Sequence, residues 1–102
     1  MGGFFLKTNS AYTLVVLKQY IFYHFYMDFE KEIYIKLGKN IKKYRLENNL
    51  SQEKLSELLN ANPKFVGHVE RVERYISLKK LIQISKILNV SLENLFNFSE
   101  II

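Results

Sequence analysis

The feature that most constrains the fold is the very short gap between two apolar-patterned segments in the middle of the chain. Residues 51–59, SQEKLSELL, and residues 63–71, PKFVGHVER, are separated only by Asn60-Ala61-Asn62. Apolar residues recur three or four positions apart in both segments, which predicts two short helices. Two helices joined by so tight a turn must cross at a large angle.

The residues at the ends of these two segments are typical of helix boundaries. Ser51 is a favoured cap for the first helix, and Asn60 tolerates the left-handed conformation that a tight turn needs. Asn62 and Pro63 predict the start of the second helix, because proline suits the first helical position. Gly67 lies inside that helix at a cost of about 1 kcal/mol relative to alanine. Either another surface approaches it closely, or the position is under weak selection.

Three further segments after residue 33 show helical spacing of apolar residues, and none of the sequence there alternates like a half-buried strand. The first ends at Asn48-Asn49, and the other two follow the candidate caps Ser77 and Ser91. Their predicted buried stripes are Ile33, Leu37, Ile41 and Tyr44; Leu78, Leu81, Ile84 and Leu88; and Leu92, Leu95 and Phe96. The sequence therefore predicts an all-α fold, a compact bundle of five short helices.

The first 26 residues differ in composition from the rest of the chain. They hold two lysines and no acidic residue, and nine of the fifteen aromatic residues lie in the first 29 positions. The rest of the chain holds thirteen basic and ten acidic residues, a mild excess that admits a polyanionic partner without proving one. We predict an N-terminal aromatic-rich extension, residues 1–30, and a helical domain, residues 31–102. The extension is either translated sequence upstream of a natural start at Met27 or an accessory segment that packs on the domain or on a second subunit.

A membrane span and a signal peptide are both disfavoured in this extension. Its apolar stretch, residues 11–27, has 17 residues and includes a lysine, a glutamine and a histidine, whereas a transmembrane helix needs about 20 apolar residues. Lys7 alone makes a weak basic region, and Tyr-His-Phe-Tyr at residues 23–26 is a poor cleavage site. We therefore expect a cytoplasmic protein without a membrane partner.

The composition also argues against an enzyme and against a bound metal or cofactor. The chain has no cysteine, and His24 and His68 lie far apart, so the sequence offers neither a thiol nucleophile nor a metal-ligand spacing. There is no glycine-rich phosphate loop, and most of the ten acidic residues lie beside a lysine or arginine at predicted surface positions. We expect a protein that binds rather than catalyses.

Residues 33–98 resemble the phage-repressor/Cro and Xre-type helix-turn-helix transcriptional regulators. The resemblance is strongest in LSQEKLSELL, in the Val-x-x-Val-Glu-Arg end of the third segment, and in the closing LNVSLENLF. It implies a lambda-repressor-like domain whose second motif helix enters the major groove of double-stranded DNA. It also implies a homodimer on a palindromic operator, acting as a repressor.

The resemblance assigns DNA contacts residue by residue. Gln52 matches a glutamine that contacts a phosphate and supports the recognition helix. Lys64 and His68 match outward positions that read bases, where Lys64 donates to guanine and His68 to another acceptor. Pro63 and Gly67 occupy two further reading positions but offer no side-chain hydrogen bond.

Other matched positions carry structural or phosphate-binding roles. Phe65 stands where the family often has threonine or serine, and it is either a contact to the sugar-phosphate backbone or a thymine methyl, or a core residue. Arg45 and Glu70 match a structural pair that joins the first helix to the third. The remaining candidate phosphate contacts are Asn62, Lys42, Lys43, Arg71, Lys79 and Lys80.

The chain departs from the family at three turn positions. Asn60 and Val72 stand where the family usually has glycine, and Ile76 stands where it often has proline. The loop after the third helix is therefore either reshaped, or the third helix continues toward Tyr75.

The leading hypothesis is a sequence-specific DNA-binding transcriptional regulator. The alternative is a protein-binding helix-turn-helix module, such as an antitoxin or an antagonist of another regulator, which the polar-poor recognition helix and the aromatic N-terminus favour. Two candidate dimer surfaces stay open, the aromatic N-terminal segment and the exposed apolar residues of the last turn, Phe98, Ile101 and Ile102.

Overall fold

The computed structural model describes residues 10–99 and builds this part of the chain from α-helices, without a strand. The helices are α1 (Ser10–Glu47), α2 (Gln52–Leu58), α3 (Phe65–Glu70), α4 (Leu78–Leu88) and α5 (Leu92–Leu95). The prediction of an all-α fold with five helices is confirmed for the described residues.

Helix α1 begins well before Ile33, where the apolar spacing first indicates it. It runs without a break from Ser10 to Glu47. Residues 10–32 contain neither proline nor glycine, so nothing in their backbone chemistry ends a helix. The apolar side chains of this part of the helix are distributed all around its axis. The sequence therefore shows no amphipathic stripe there.

The contacts within the chain divide it into two units, Met1–Glu30 and Lys31–Ile102. In the described part of the first unit, large apolar side chains are mostly exposed. They are Tyr12, Leu14, Val15, Val16, Leu17, Tyr20, Ile21, Phe22, Tyr23, Phe25, Tyr26 and Phe29. Among residues 10–99, no helix has an apolar stretch long enough to cross a membrane.

The second unit has one hydrophobic core, to which all five helices or their caps contribute. Its buried apolar residues are Leu37, Ile41, Leu55, Leu59, Phe65, Val66, Val69, Ile76, Leu81, Ile84, Leu88 and Leu95. Leu78 and Phe96, which the sequence places on buried stripes, are instead exposed, and so is Leu58, which the helical spacing of α2 would place with the buried Leu55 and Leu59. Leu58 and Leu78 are terminal residues of their helices, and Phe96 directly follows α5.

Deleting residues 1–26 is expected to leave a folded domain, because among the residues that the structure describes every buried core residue lies at or after Leu37. The truncated protein should keep a helical circular dichroism spectrum and a cooperative thermal transition like that of the full chain. A truncated protein with a random-coil spectrum, under conditions in which the full chain is helical, would contradict this expectation.

The three predicted serine caps are confirmed. Ser51, Ser77 and Ser91 have extended backbones, and each side-chain oxygen accepts a hydrogen bond from a backbone N–H in the first turn of its helix. The donors are Lys54 at 3.0 Å, Lys80 at 3.2 Å and Asn94 at 3.0 Å. These bonds satisfy N–H groups that have no partner inside the helix.

Helix α3 begins later than the sequence predicts. Pro63 and Lys64 form a turn, and the α-helix starts at Phe65. Asn62 stabilises this turn with two hydrogen bonds. Its Oδ1 accepts from the N–H of Lys64 (2.9 Å), and its carbonyl accepts from the N–H of Phe65 (2.8 Å). The prediction that Pro63 is the first residue of the helix is therefore wrong, while Asn62 does provide the side-chain bond expected of it.

Two turns that the sequence analysis singles out depend on a left-handed backbone. Asn60 has a φ of 54° after α2, as the tolerance of asparagine for this conformation predicts. Val72 has a φ of 59°, in the position where the family usually has glycine. Helix α3 thus ends at Glu70 and does not continue toward Tyr75. The chain therefore makes the left-handed turn that glycine would favour, but with the β-branched Val72, whose backbone is strained in this conformation.

Replacing Val72 with glycine is expected to stabilise the domain by about 0.5–1 kcal/mol. The left-handed conformation costs an L-residue roughly 1–2 kcal/mol, and the extra freedom of glycine in the unfolded chain offsets part of this gain. The melting temperature should rise by about 4 °C in a calorimetric scan. Val72→Ala keeps the Cβ atom and serves as the control, which should not rise. A Val72→Gly variant that melts at or below the wild-type temperature would show that the turn is unstrained.

Candidate nucleic-acid interface

Helices α2 and α3 are joined directly by a buried serine. Ser56 is fully buried, and its hydroxyl donates to the carbonyl of Gln52 (2.8 Å) and accepts from the N–H of Val66 (3.1 Å). It therefore fixes the first turn of α3 against the middle of α2. Ser56 has no role among the predictions from sequence, although a small polar residue between the buried Leu55 and Leu59 is the kind of signal that marks such a link.

A buried ion pair holds the other end of α3. Arg45 donates from Nε to Glu70 Oε2 at 2.7 Å and from Nη2 to Glu70 Oε1 at 3.0 Å. The two side chains are only 7% and 5% exposed. Arg45 Nη1 also donates to the carbonyl of Leu50 at 2.9 Å, just before α2. The pair therefore joins α1 and the start of α2 to the last turn of α3, in the geometry that the resemblance implies.

Gln52 completes this network. Its Nε2 donates to Glu70 Oε1 at 2.9 Å, so the carboxylate accepts from two different elements. Gln52 Oε1 lies close to Gly67. A Cβ atom added to this glycine would be 3.0 Å from that oxygen. Gln52 thus supports α3, which is one of the two roles that the resemblance assigns to it. Its phosphate contact stays a prediction.

Three donor side chains lie along one face of α3. Lys64, His68 and Arg71 are spaced four and three residues apart, so they share one side of the helix. Lys64 is exposed, and the side chains of His68 and Arg71 are 40% and 53% exposed. The opposite side of α3 carries Val66 and Val69, which are buried in the core. We call the face formed by Lys64, Gly67, His68 and Arg71 the donor face.

The remaining predicted contacts on this helix divide into exposed and buried residues. Asn62 and Pro63 are exposed at the turn before α3. Phe65 is only 7% exposed and belongs to the core, with the Arg74 guanidinium 5.5 Å from its ring centre. Of the two roles left open for Phe65, burial favours the core role over a contact to the sugar-phosphate backbone or a thymine methyl.

The candidate phosphate-binding lysines are not equivalent. Lys42, Lys43 and Lys79 are exposed, and Lys43 lies over the ring of Tyr44 at 5.2 Å. Lys80 is half-buried, and its Nζ donates to the carbonyl of Leu59 at 2.7 Å. Carbonyls at the end of a helix lack a partner within it, so Lys80 caps the end of α2. The positive charge of Lys80 therefore has a structural use that the sequence does not reveal.

An acidic residue that the sequence analysis does not assign lies beside the donor face. Glu73 accepts from Arg71 Nε at 3.0 Å and from Arg71 Nη2 at 3.4 Å, and its Oε2 lies 3.9 Å from His68 Nε2. The hydrogen bonds from Arg71 hold the pKa of Glu73 below its ordinary value. The same contact raises the pKa of Arg71. Glu73 is therefore a carboxylate at neutral pH, and it restrains the guanidinium in the free protein.

Comparison with known proteins places this geometry in a family. A helix-turn-helix family model matches residues 41–95. The control protein C.SmaI of Serratia marcescens is 44% identical over 59 residues, which are 58% of this chain and 70% of that protein. The crystal structure of the restriction-modification controller protein C.AhdI from Aeromonas hydrophila superposes with a TM-score of 0.60 at 30% identity, covering 65% of this chain and 96% of that one. The chain therefore belongs to the Xre-type helix-turn-helix family, as the resemblance predicts.

Proposed function

We propose that this chain is a DNA-binding transcriptional regulator that controls a restriction–modification system. The donor face of α3 carries the proposal: three hydrogen-bond donors are exposed on one side of a helix whose other side is packed into the core. Two relatives are a control protein and a restriction-modification controller, which supports the same role here. DNA binding of this kind needs no metal, no cofactor and no catalytic residue. We propose that the protein acts in the cytoplasm.

We propose that the protein acts as a homodimer on a palindromic operator. One helix-turn-helix reads one half-site, so a dimer would read two half-sites about 34 Å apart, which is one turn of DNA. Lys42, Lys43 and Lys79, which are exposed outside the donor face, are proposed to contact phosphates. Repression is the direction of control that we propose.

Of the candidate dimer surfaces, Phe98 packs against the core of the second unit, while Ile101 and Ile102 lie outside the described residues.

Selection of bound fragments from the genome tests this function. The full chain should enrich one motif with two inverted half-sites, upstream of restriction–modification genes. Lys64→Ala and His68→Ala should change the preferred bases rather than the overall affinity alone. No enrichment above non-specific background would overturn the proposal and favour the alternative, a protein-binding module.

The salt dependence of binding is expected to reveal how many phosphates the protein neutralises. The logarithm of the association constant should fall with the logarithm of salt concentration, with a slope of about −0.9 per phosphate contact. Lys79→Ala should make that slope less steep by about one contact and should weaken all DNA sequences about equally. Fluorescence anisotropy with a labelled duplex over a series of salt concentrations measures this. An unchanged slope would remove Lys79 from the phosphate contacts.

A further inference from the structure

The middle of the donor face has no side chain of its own. Gly67 lies there, and a Cβ atom added to it would be 3.0 Å from Arg71 Nη1 and 3.5 Å from Arg71 Nη2. The guanidinium of Arg71 therefore lies over Gly67. Helical side chains point back toward the start of their helix, so a long side chain at position 71 covers the surface one turn earlier.

This arrangement moves a charged group from the end of α3 to its centre. Arg71 is the residue that follows α3, where a contact to the DNA backbone would be expected. Its guanidinium, however, lies beside Gly67, which is one turn after Lys64 and adjacent to His68 in sequence. The group thus occupies a base-reading position that the glycine leaves empty.

We propose that Arg71 reads a guanine in the major groove, and that Gly67 is the residue that makes room for it. The guanidinium is a planar fork that donates two parallel hydrogen bonds, which suits the O6 and N7 acceptors of guanine. This inference rests on the proposed DNA-binding function. It assigns base readout to a residue that the resemblance places among the phosphate contacts.

Glu73 gives a second reason to prefer guanine over phosphate as the ligand of Arg71. Its two carboxylate oxygens accept from Nε and Nη2 of Arg71, so the guanidinium already faces a pair of acceptors in the free protein. A phosphate that approached this guanidinium would also meet the negative charge of Glu73 and be repelled. A neutral acceptor pair on a base edge carries no such penalty. Glu73 accepts from the Nε/Nη2 edge of the guanidinium, so the Nη1/Nη2 edge can donate to a base while Glu73 stays in place.

Selection from a random DNA pool tests the assignment. The wild-type motif should contain a G·C pair whose replacement weakens binding roughly 5- to 150-fold, the range of a good bidentate contact. Arg71→Lys keeps the charge without the fork, and Arg71→Ala removes both. Both variants should lose the preference at that one base pair and keep it elsewhere. The control Lys79→Ala should keep the whole motif while weakening all sites.

Two outcomes would overturn the inference in distinguishable ways. If both Arg71 variants keep the complete motif, and Arg71→Ala makes the salt slope less steep while Arg71→Lys leaves it unchanged, Arg71 is a phosphate contact and the proposed function stands. If the wild-type protein enriches no motif, the proposed function fails and the inference fails with it. Circular dichroism is used to check that each variant is folded; Arg71 is exposed, so no loss of helix is expected.

Gly67→Ala tests whether the glycine acts through Arg71. The new methyl group would contact Arg71 Nη1 and Gln52 Oε1 at 3.0 Å, which displaces the guanidinium. The variant should lose discrimination at the same base pair as Arg71→Ala, and the Gly67→Ala/Arg71→Ala double variant should equal Arg71→Ala alone. If the double variant is weaker at every site than either single variant, the methyl group acts on the DNA itself or through Gln52, and the inference about Gly67 is wrong.

Discussion

Replacing Arg45 with alanine is expected to lower the free energy of unfolding by about 3–5 kcal/mol. The substitution leaves the carboxylate of Glu70 buried at 5% exposure without its guanidinium partner, and only Gln52 still donates to it. It also removes the hydrogen bond that Arg45 donates to the carbonyl of Leu50. Urea denaturation followed by circular dichroism measures this loss. Specific DNA binding should fall together with stability, because Glu70 lies in α3.

A double variant separates the cost of a buried charge from the value of the pair. Arg45→Met/Glu70→Leu removes both charges and fills similar volume, so its stability should return close to that of the wild type. Its specific DNA binding should stay reduced, because Gln52 loses the acceptor that fixes it against α3. If Arg45→Ala leaves thermal stability unchanged and abolishes binding, Arg45 is a direct phosphate contact and this account of the pair is wrong.

Replacing Gly38 with valine is expected to destabilise the domain by about 2–3 kcal/mol. Gly38 lies in α1, and a Cβ atom added there would be 3.1 Å from the carbonyl oxygen of Glu70 and 3.2 Å from that of Val69. These are backbone atoms at the end of α3, so the helix itself must move to make room. The branched side chain of valine adds two further carbon atoms at this contact. Chemical denaturation of the variant measures the effect.

Two control substitutions, Lys39→Val and Gly38→Ala, separate the tight contact at Gly38 from the helix propensity of valine. Lys39→Val introduces the same residue at an exposed position of the same helix, where it should cost only a few tenths of a kcal/mol through helix propensity. Gly38→Ala should lie between them, because a gain of about 1 kcal/mol in propensity opposes the tight contact. Equal losses for Gly38→Val and Lys39→Val would mean that α1 and α3 are not closely packed at this point.

The features that the sequence predicts correctly are those that depend on neighbouring residues. The serine caps at positions 51, 77 and 91 form bonds to N–H groups three residues away, so the local sequence contains the whole interaction. The left-handed turn at Asn60 is local in the same sense. The turn between α2 and α3 can therefore be identified from the sequence alone.

The features that the sequence misses join residues that are far apart in the chain. Asn40 is buried in α1, and its Nδ2 donates to the carbonyls of Leu95 and Asn97, both at 2.9 Å. Lys80 caps the end of α2, and its partner Leu59 lies 21 residues earlier. An asparagine and a lysine on a helix are ordinary surface residues in a sequence pattern. Their partners become evident only when the fold brings the ends of other helices to them.

The donor face is predicted only in part by the sequence. The spacing of Lys64 and His68 on a short helix indicates an exposed face, and the resemblance names it as the reading face. The sequence also contains Gly67 and Arg71, but it does not indicate that the guanidinium lies over the glycine. Glu73 joins this group through a turn that depends on the strained Val72. A helical pattern that ends at Glu70 carries no information about where that turn directs Glu73.

Sequence reading by the exposed face of α3 is the proposed basis of this protein's function. Its most direct test is the ratio of two affinities at physiological salt, one for the duplex selected from the genome and one for a shuffled duplex of the same length and base composition. We expect a ratio of about a thousandfold or more, reduced by Lys64→Ala and His68→Ala. A ratio near one for the wild-type protein would contradict it.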